Sequence, residues 1–265
     1  MVLRVNRQKQ TLASAPNLRE YGSGGLFGLL TPHSNPTAEP ELRIMLPPTS
    51  ALLAARLTSA SSTLHQRLID YGAGLGEFIG NFGNIVFDAL GFACTGTSYL
   101  TDPEVECRRI DAIAARTGCP FITAAAAIRA ALVVLRAETI ALVSPYPAWL
   151  TDACRAHWER HGVTVTATLQ LPSGPAEAHG IYGLTSSEVL EAVASFEICG
   201  AQALLLAGTG MPSLRAIRVL EPASAVPVLS ANLCLAWALA RIRGEAAAGP
   251  ESRLYGGWGA RLACA

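Results

Sequence analysis

The chain has 265 residues, 51% hydrophobic and 15% charged, which is enough apolar material for one large or two small domains and excludes a disordered chain. Lys+Arg and Asp+Glu number 20 each, so the formal net charge is zero and the basic excess of a dedicated nucleic-acid or polybasic membrane binder is missing. Seven scattered cysteines, with no Cys-x-x-Cys pair, read as free thiols in a reducing compartment, the cytoplasm, rather than as a disulfide framework or zinc ribbon.

Residues 1–24 read as a polar lead-in of low order ending in Tyr21-Gly-Ser-Gly-Gly, with no apolar segment of the secretory kind. Strand-like runs follow at 26–30, 85–93, 139–144, 163–169, 201–207 and 226–230. Helical patterns lie between them at 59–80, 103–117, 123–137, 147–161, 185–199 and 231–243. The longest apolar stretch, 121–135, is broken by Arg129 and too short to cross a bilayer. Strands alternating with helices predict α/β architecture with parallel sheets flanked by helices. In such sheets function collects past the carboxyl ends of the strands.

Two internal matches organise the chain. Ala89-Leu-Gly-Phe-Ala-Cys-Thr-Gly and Ala203-Leu-Leu-Leu-Ala-Gly-Thr-Gly share a pattern at an offset of 114 residues, and Gly28-Leu-Leu-Thr-Pro-His and Ala141-Leu-Val-Ser-Pro-Tyr share another at 113. The pair of offsets predicts two similar α/β halves, 25–138 and 139–243, with a cleft between them and a C-terminal tail at 244–265. The C-terminal part of the first half is free to cross over to the second.

Each half then supplies two loops to the cleft. Cys94-Thr-Gly-Thr-Ser is a strand-to-helix junction whose small residues expose backbone N–H groups, a nest for anions that also favours a thiolate. Its duplicate, Gly208-Thr-Gly-Met-Pro-Ser213, has the same donors without a thiol. One thiol and two such nests suit a carboxylate substrate that passes through an enediolate-like state. Tyr146 and His33 hold equivalent places in the first-strand loops, and the Tyr146 hydroxyl and the Asn35 amide are both able to donate to a carboxylate. In the loop before 185, His179 and Tyr182 are noted, with His179 a candidate acid in place of a second thiol. His157 and His161 sit one helical turn apart without a third ligand and read as a solvated helix face, so no metal site is expected. Gly72-x-Gly-x-Gly76 falls in a helical pattern rather than after a strand, and neither a phosphate-loop nor a G-x-S-x-G motif occurs.

Leu29-Leu-Thr-Pro-His-Ser-Asn-Pro-Thr-Ala-Glu39 resembles the first strand and P-x-S-N-x-T-x-E loop of maleate cis-trans isomerases. Ala93-Cys94-Thr95 resembles their first catalytic cysteine motif, and Leu206-Ala-Gly-Thr-Gly-Met-Pro-Ser-Leu214 their second, where a cysteine precedes x-x-M-P-S-L. The order of motifs over about 25–243 resembles the aspartate/glutamate racemase superfamily, in its maleate isomerase and arylmalonate decarboxylase branch. The resemblance implies two similar α/β domains with the active site between them and no metal, nucleotide or flavin. It implies Cys94 as catalytic thiol, Thr95 and Gly96 in the first oxyanion loop, and Gly208, Thr209 and Gly210 in the second. Tyr146 matches a carboxylate-binding tyrosine and Asn35 a substrate-binding asparagine; Pro32, His33, Thr97 and Met211 adjoin these motifs as further candidates. Gly208 stands where racemases and isomerases carry a second cysteine, and two-base racemisation needs an acid or base on each face of the carbon.

The implied partner is a small carboxylate or dicarboxylate, with no nucleic acid or membrane and with a homo-oligomer open. The first expected activity is isomerase-like, with Cys94 as nucleophile on an activated cis double bond. The second is decarboxylase-like, with Cys94 protonating an enediolate. A third expectation is a metabolite-binding protein without turnover. Either enzyme reading expects a lowered Cys94 pKa.

Overall fold

The computed structural model describes residues 19–172, 174 and 180–265; residues 1–18, most of the expected lead-in, and His179 lie outside the described residues. In the first half, β1 (Leu26–Pro32), α1 (Ala38–Met45), β2 (Ala51–Leu57), α2 (Leu64–Ala73), α3 (Leu75–Gly80) and β3 (Ala89–Phe92) come first. They are followed by α4 (Thr95–Leu100), α5 (Pro103–Thr117), β4 (Phe121–Thr123) and α6 (Ala124–Leu135). In the second half, β5 (Thr139–Ser144), α7 (Ala148–Arg160), β6 (Thr164–Gln170) and a 3-10 turn (Gly180–Gly183) precede α8 (Ser186–Val193) and β7 (Ala203–Leu206). Then come α9 (Leu214–Ala223), β8 (Val228–Ser230), α10 (Ala231–Arg241) and α11 (Gly259–Ala263).

Two four-stranded parallel sheets form, ordered β2-β1-β3-β4 and β6-β5-β7-β8. The central strands β1, β3 and β7 are buried throughout and β5 is buried after its first residue, as continuous apolar runs in parallel sheets covered on both faces must be. The duplication is visible in the register: β1 pairs Gly28 with Leu90, and β5 pairs Ala141 with Leu204. The sequence offsets therefore map equivalent pairs of neighbouring strands onto each other. This is the expected α/β fold of two similar halves.

Several boundaries differ from the sequence reading. The run 85–93 forms a strand only over Ala89–Phe92. The helical pattern 59–80 is two helices that meet at Gly74. The pattern 185–199 stops at Val193. β2 and β4 gave no strand signal. Ala51-Leu-Leu-Ala-Ala-Arg-Leu has the composition of a helix, yet seven residues of β1 pair along it and override the propensity.

Helix starts follow local chemistry. Asp102 accepts from the N–H groups of Glu104 and Val105 with Pro103 in the first turn, and Gly118 ends α5 in the left-handed region. Thr185 and Glu188 form a capping box on α8. The second half does not end at its own sheet. α10 leaves the second sheet and packs on α6 and α1 and against β3 and β4. The segment after it, read as a tail, is packed too, with Trp258 fully buried and Tyr255 donating to the Met45 carbonyl (2.9 Å). Among the described residues no helix is long and apolar enough to cross a membrane.

Candidate active site

The strand ends of the two sheets face one cavity of about 60 Å³. Its floor is the pair of duplicated loops: Cys94, Thr95 and Gly96 from the first half, Thr209 and Gly210 from the second. Pro32 and Asn35 reach it from the loop after β1, and Tyr146 from the loop after β5. α2 closes one wall with Leu64, Arg67, Leu68 and Tyr71, the i, i+3, i+4, i+7 face of one helix. Pro145, Pro147, Leu150, Ile181 and Tyr182 form the opposite wall. The walls are therefore mostly apolar, interrupted by Asn35, Arg67 and the Tyr71 and Tyr182 hydroxyls.

Cys94 is the residue before α4 and makes no side-chain cap bond to that helix; the nearby N–H groups of Gly96 and Thr97 act only to pull its pKa down. The Thr97 hydroxyl donates to the Leu68 carbonyl (3.0 Å), which leaves its oxygen to accept the thiol proton of Cys94 at 3.3 Å. Burial pushes the thiol pKa up, and these hydrogen bonds pull it down less strongly. The expected lowering is thus corrected: the loop donors are in place, but the apolar walls dominate. The resting group is a neutral thiol aimed along Thr97.

Tyr146 is placed by a chain of hydroxyls. Ser144 Oγ and Thr151 Oγ1 lie 2.7 Å apart, and Thr151 donates to the Tyr146 carbonyl at 3.1 Å. Tyr99 meets its ring edge-on at 6.1 Å. The Tyr146 hydroxyl lies 2.7 Å from Thr95 Oγ1 in the cavity floor, and burial holds its pKa well above the ordinary phenol value. It stays a neutral hydrogen-bond donor.

Asn35 and Thr209 carry a structural duty as well. The Asn35 carbonyl oxygen accepts from the N–H groups of Thr37 and Ala38, starting α1, and its amide donates to Thr209 Oγ1 at 3.2 Å. Thr209 in turn donates to the Ala93 carbonyl at 2.8 Å. These bonds stitch the two floor loops together across 116 residues of sequence. Arg56 reinforces the Asn35 loop from β2, donating to its carbonyl (3.0 Å) and to Glu39 (2.8 Å).

Gly208 explains why the second loop has no thiol. Its φ is +86°, and a Cβ there would lie 3.0 Å from Tyr146 Oη, 3.1 Å from Pro145 Cγ and 3.3 Å from Ile181 Cδ1. A second cysteine there would adopt a strained backbone and push these neighbours back by a few tenths of an ångström.

The remaining sequence candidates stand apart from the cavity. His33 is exposed, its Nδ1 3.2 Å from the Leu57 carbonyl and 3.3 Å from the Tyr71 hydroxyl. Met211 is fully buried beneath the loop. The His157–His161 pair is not a solvated face. His157 is buried against Tyr99 and Trp158, and burial drops its pKa to about 3, which keeps it neutral. Sequence reasoning missed the α2 wall, because helical periodicity marks a buried face without telling a core from a cavity lining. It noted Tyr182 but not Ile181.

The match to known proteins follows this geometry. The arylmalonate decarboxylase family model matches residues 84–255.

The chain belongs to the arylmalonate decarboxylase family.

It sits in the maleate isomerase and arylmalonate decarboxylase branch of the aspartate/glutamate racemase superfamily. A maleate isomerase from Pseudomonas putida is 27% identical over 80% of this chain and 89% of its own length. A Nocardia farcinica maleate cis-trans isomerase mutant, solved with a covalently bound succinylcysteine intermediate, superposes with a TM-score of 0.74 at 24% identity, covering 82% of this chain and 91% of that one. A doubly substituted arylmalonate decarboxylase in liganded form gives a TM-score of 0.74 at 19% identity over 87% and 98%. These relatives have the same two-halved α/β fold.

Proposed function

We propose that this member of the family is a cofactor-independent decarboxylase of malonate-type diacids that carry an apolar α-substituent. The observation that carries the reading is a neutral thiol, the one thiol among the described lining residues, in a mostly apolar enclosure, with Tyr146, Pro145 and Ile181 crowding the second thiol position. Among the described residues, such a site offers one thiol acid and no second thiol.

The chemistry balances without a cofactor. One carboxylate of the bound malonate leaves as carbon dioxide, and the electron pair of the broken C–C bond becomes an enediolate. The apolar part of the lining (Leu64, Leu68, Pro145, Pro147, Leu150 and Ile181) favours loss of the charged carboxylate as a neutral molecule, a desolvation argument that applies away from Arg67. The floor amides and the Tyr146 hydroxyl receive the charge that develops on the retained carboxylate. Cys94 transfers its proton to the α-carbon, and the sulfur is left as a thiolate facing the N–H groups of Gly96 and Thr97. Water then restores the thiol.

Removing the Tyr146 hydroxyl tests the floor. Tyr146→Phe also strips Thr95 of its 2.7 Å partner, and a lost oxyanion donor costs about 10²–10³ in kcat. The expected outcome is a fall of that size in steady-state kcat, with the circular dichroism spectrum unchanged.

A maleate isomerase reading stands second, favoured by the Pseudomonas putida relative that covers 80% of the chain. It asks Cys94 to act as a thiolate nucleophile, as the covalent succinylcysteine of the Nocardia farcinica mutant illustrates for that enzyme. The neutral, buried thiol weighs against it here. A proton NMR time course with phenylmalonate, butylmalonate and maleate in separate tubes distinguishes the two. Loss of carbon dioxide from a substituted malonate supports the decarboxylase. Fumarate from maleate, with the malonates untouched, replaces that reading with the isomerase.

A further inference from the structure

Glu41 is a carboxylate buried between the two halves, and it faces donors rather than a cation. Its Oε1 accepts from the N–H groups of Ser213 (2.6 Å) and Leu214 (3.1 Å), at the start of α9. Its Oε2 accepts from the Ser213 hydroxyl and from Asn232 Nδ2, each at 2.8 Å. Burial pushes the Glu41 pKa up against the pull of these donors, and a carboxyl group in such a place is tolerated because both oxygens are satisfied.

What it fixes is the second floor loop. The Asn232 amide that binds Glu41 also donates to the Thr209 carbonyl at 3.1 Å. From the same helix as Glu41, Thr37 Oγ1 (beside its first turn) donates to the Gly210 carbonyl at 2.8 Å. In a trans peptide the carbonyl and the following N–H point in opposite directions. Drawing the Thr209 carbonyl toward α10 therefore turns the Gly210 N–H away from α10, and Gly210 lines the cavity. The Gly210 ring neighbour, Tyr182, packs so close that a Cβ on Gly210 would sit 2.5 Å from its Cε1, which leaves the loop little room to find another pose.

We propose that Glu41 and Asn232 are a positioning pair that sets the peptide planes of the second oxyanion loop from behind. They touch no substrate and act through the Thr209–Gly210 peptide. The inference takes its ligand, an enediolate-like anion, from the decarboxylase reading.

The test uses phenylacetohydroxamic acid, whose planar C(=O)–N–O unit carries two oxygens in the spacing of an enediolate, and three variants: Glu41→Gln, Asn232→Ala and Glu221→Gln. Glu221 is another buried carboxylate, which accepts from Val228 N at 2.6 Å and Arg253 N at 2.8 Å and does not touch the loop. All three variants are expected to melt at lower temperature. Calorimetric affinity for the hydroxamate is expected to weaken at least tenfold in Glu41→Gln and Asn232→Ala and to stay within twofold in Glu221→Gln. In ligand-free protein the amide NMR shift of Gly210 moves in the first two and not in the third. Unchanged affinity and an unmoved Gly210 amide in whichever of Glu41→Gln and Asn232→Ala folds would overturn the positioning role and leave a purely structural one. If wild type does not bind the hydroxamate while the Gly210 shift moves as described, the positioning stands and the decarboxylase reading is what fails.

Discussion

Cys94→Ser is expected to lower decarboxylation by at least ~10³-fold while the protein keeps its fold and its affinity for an anionic product analogue. Serine preserves the hydrogen bond to Thr97 and nearly the volume, so packing around a side chain that is 4% exposed changes little. What changes is acidity: an alcohol is several pKa units weaker as a proton donor than a thiol, and general-acid catalysis contributes about 10²–10⁴-fold. The pH profile separates this role from that of a nucleophile. Burial holds the Cys94 thiol above its ordinary range, so a donor stays protonated through neutral and mildly alkaline pH, and kcat is flat there before falling at higher pH. A thiolate nucleophile would give the opposite slope, with rate climbing as pH rises toward the thiol pKa. Stopped-flow rates across that range decide the sign.

Gly208→Cys is expected to damage the enzyme rather than to complete a two-thiol site. A side chain at φ +86° costs about 1–2 kcal/mol in the left-handed region, and its Cβ presses on Tyr146 Oη at 3.0 Å and on Pro145 and Ile181. Neither proline ring nor β-branched neighbour yields easily, so Tyr146 moves and loses its alignment with Thr95. The expected result is a melting temperature lower by a few degrees, in line with about 2–4 °C per kcal/mol for chains of this size class. A fall in kcat of at least tenfold accompanies it, from the misplaced donor. Gain of α-proton exchange on the product acid, with kcat intact, would mean that the loop accommodates a second acid and that the steric account of Gly208 is wrong.

Much of this architecture was legible because the chain repeats itself. The 113- and 114-residue offsets marked equivalent strands, and strand ends in parallel sheets are where loops converge. That is why Cys94, Thr95, Gly96, Tyr146, Thr209 and Gly210, 116 residues apart at the extremes (210 − 94), lie around one cavity. Other features depend on tertiary surroundings that a linear pattern does not carry. β2 looks helical residue by residue and becomes a strand because β1 offers seven partners. His157 looks solvated beside Arg160 and His161 and is instead enclosed by Tyr99 and Trp158. The Cys94 loop predicts a stabilised thiolate from its donors alone, while the competing effect is burial in a cavity also lined by Leu64, Leu68 and Ile181 from distant segments. Glu41 carries no sequence signal, since its four donors come from positions 172 to 191 residues away.

In the proposed decarboxylation, Cys94, on one side of the cavity, delivers the proton to a carboxylate-stabilised carbanion. The most direct measurement is the enantiomeric composition of 2-phenylpropanoate formed from α-methyl-α-phenylmalonate in heavy water, read by chiral chromatography and mass spectrometry. One donor on one face predicts a single enantiomer carrying one deuterium at the α-carbon, formed by wild type and lost in Cys94→Ser. A racemic product, or the same product at the same rate from Cys94→Ser, would contradict it.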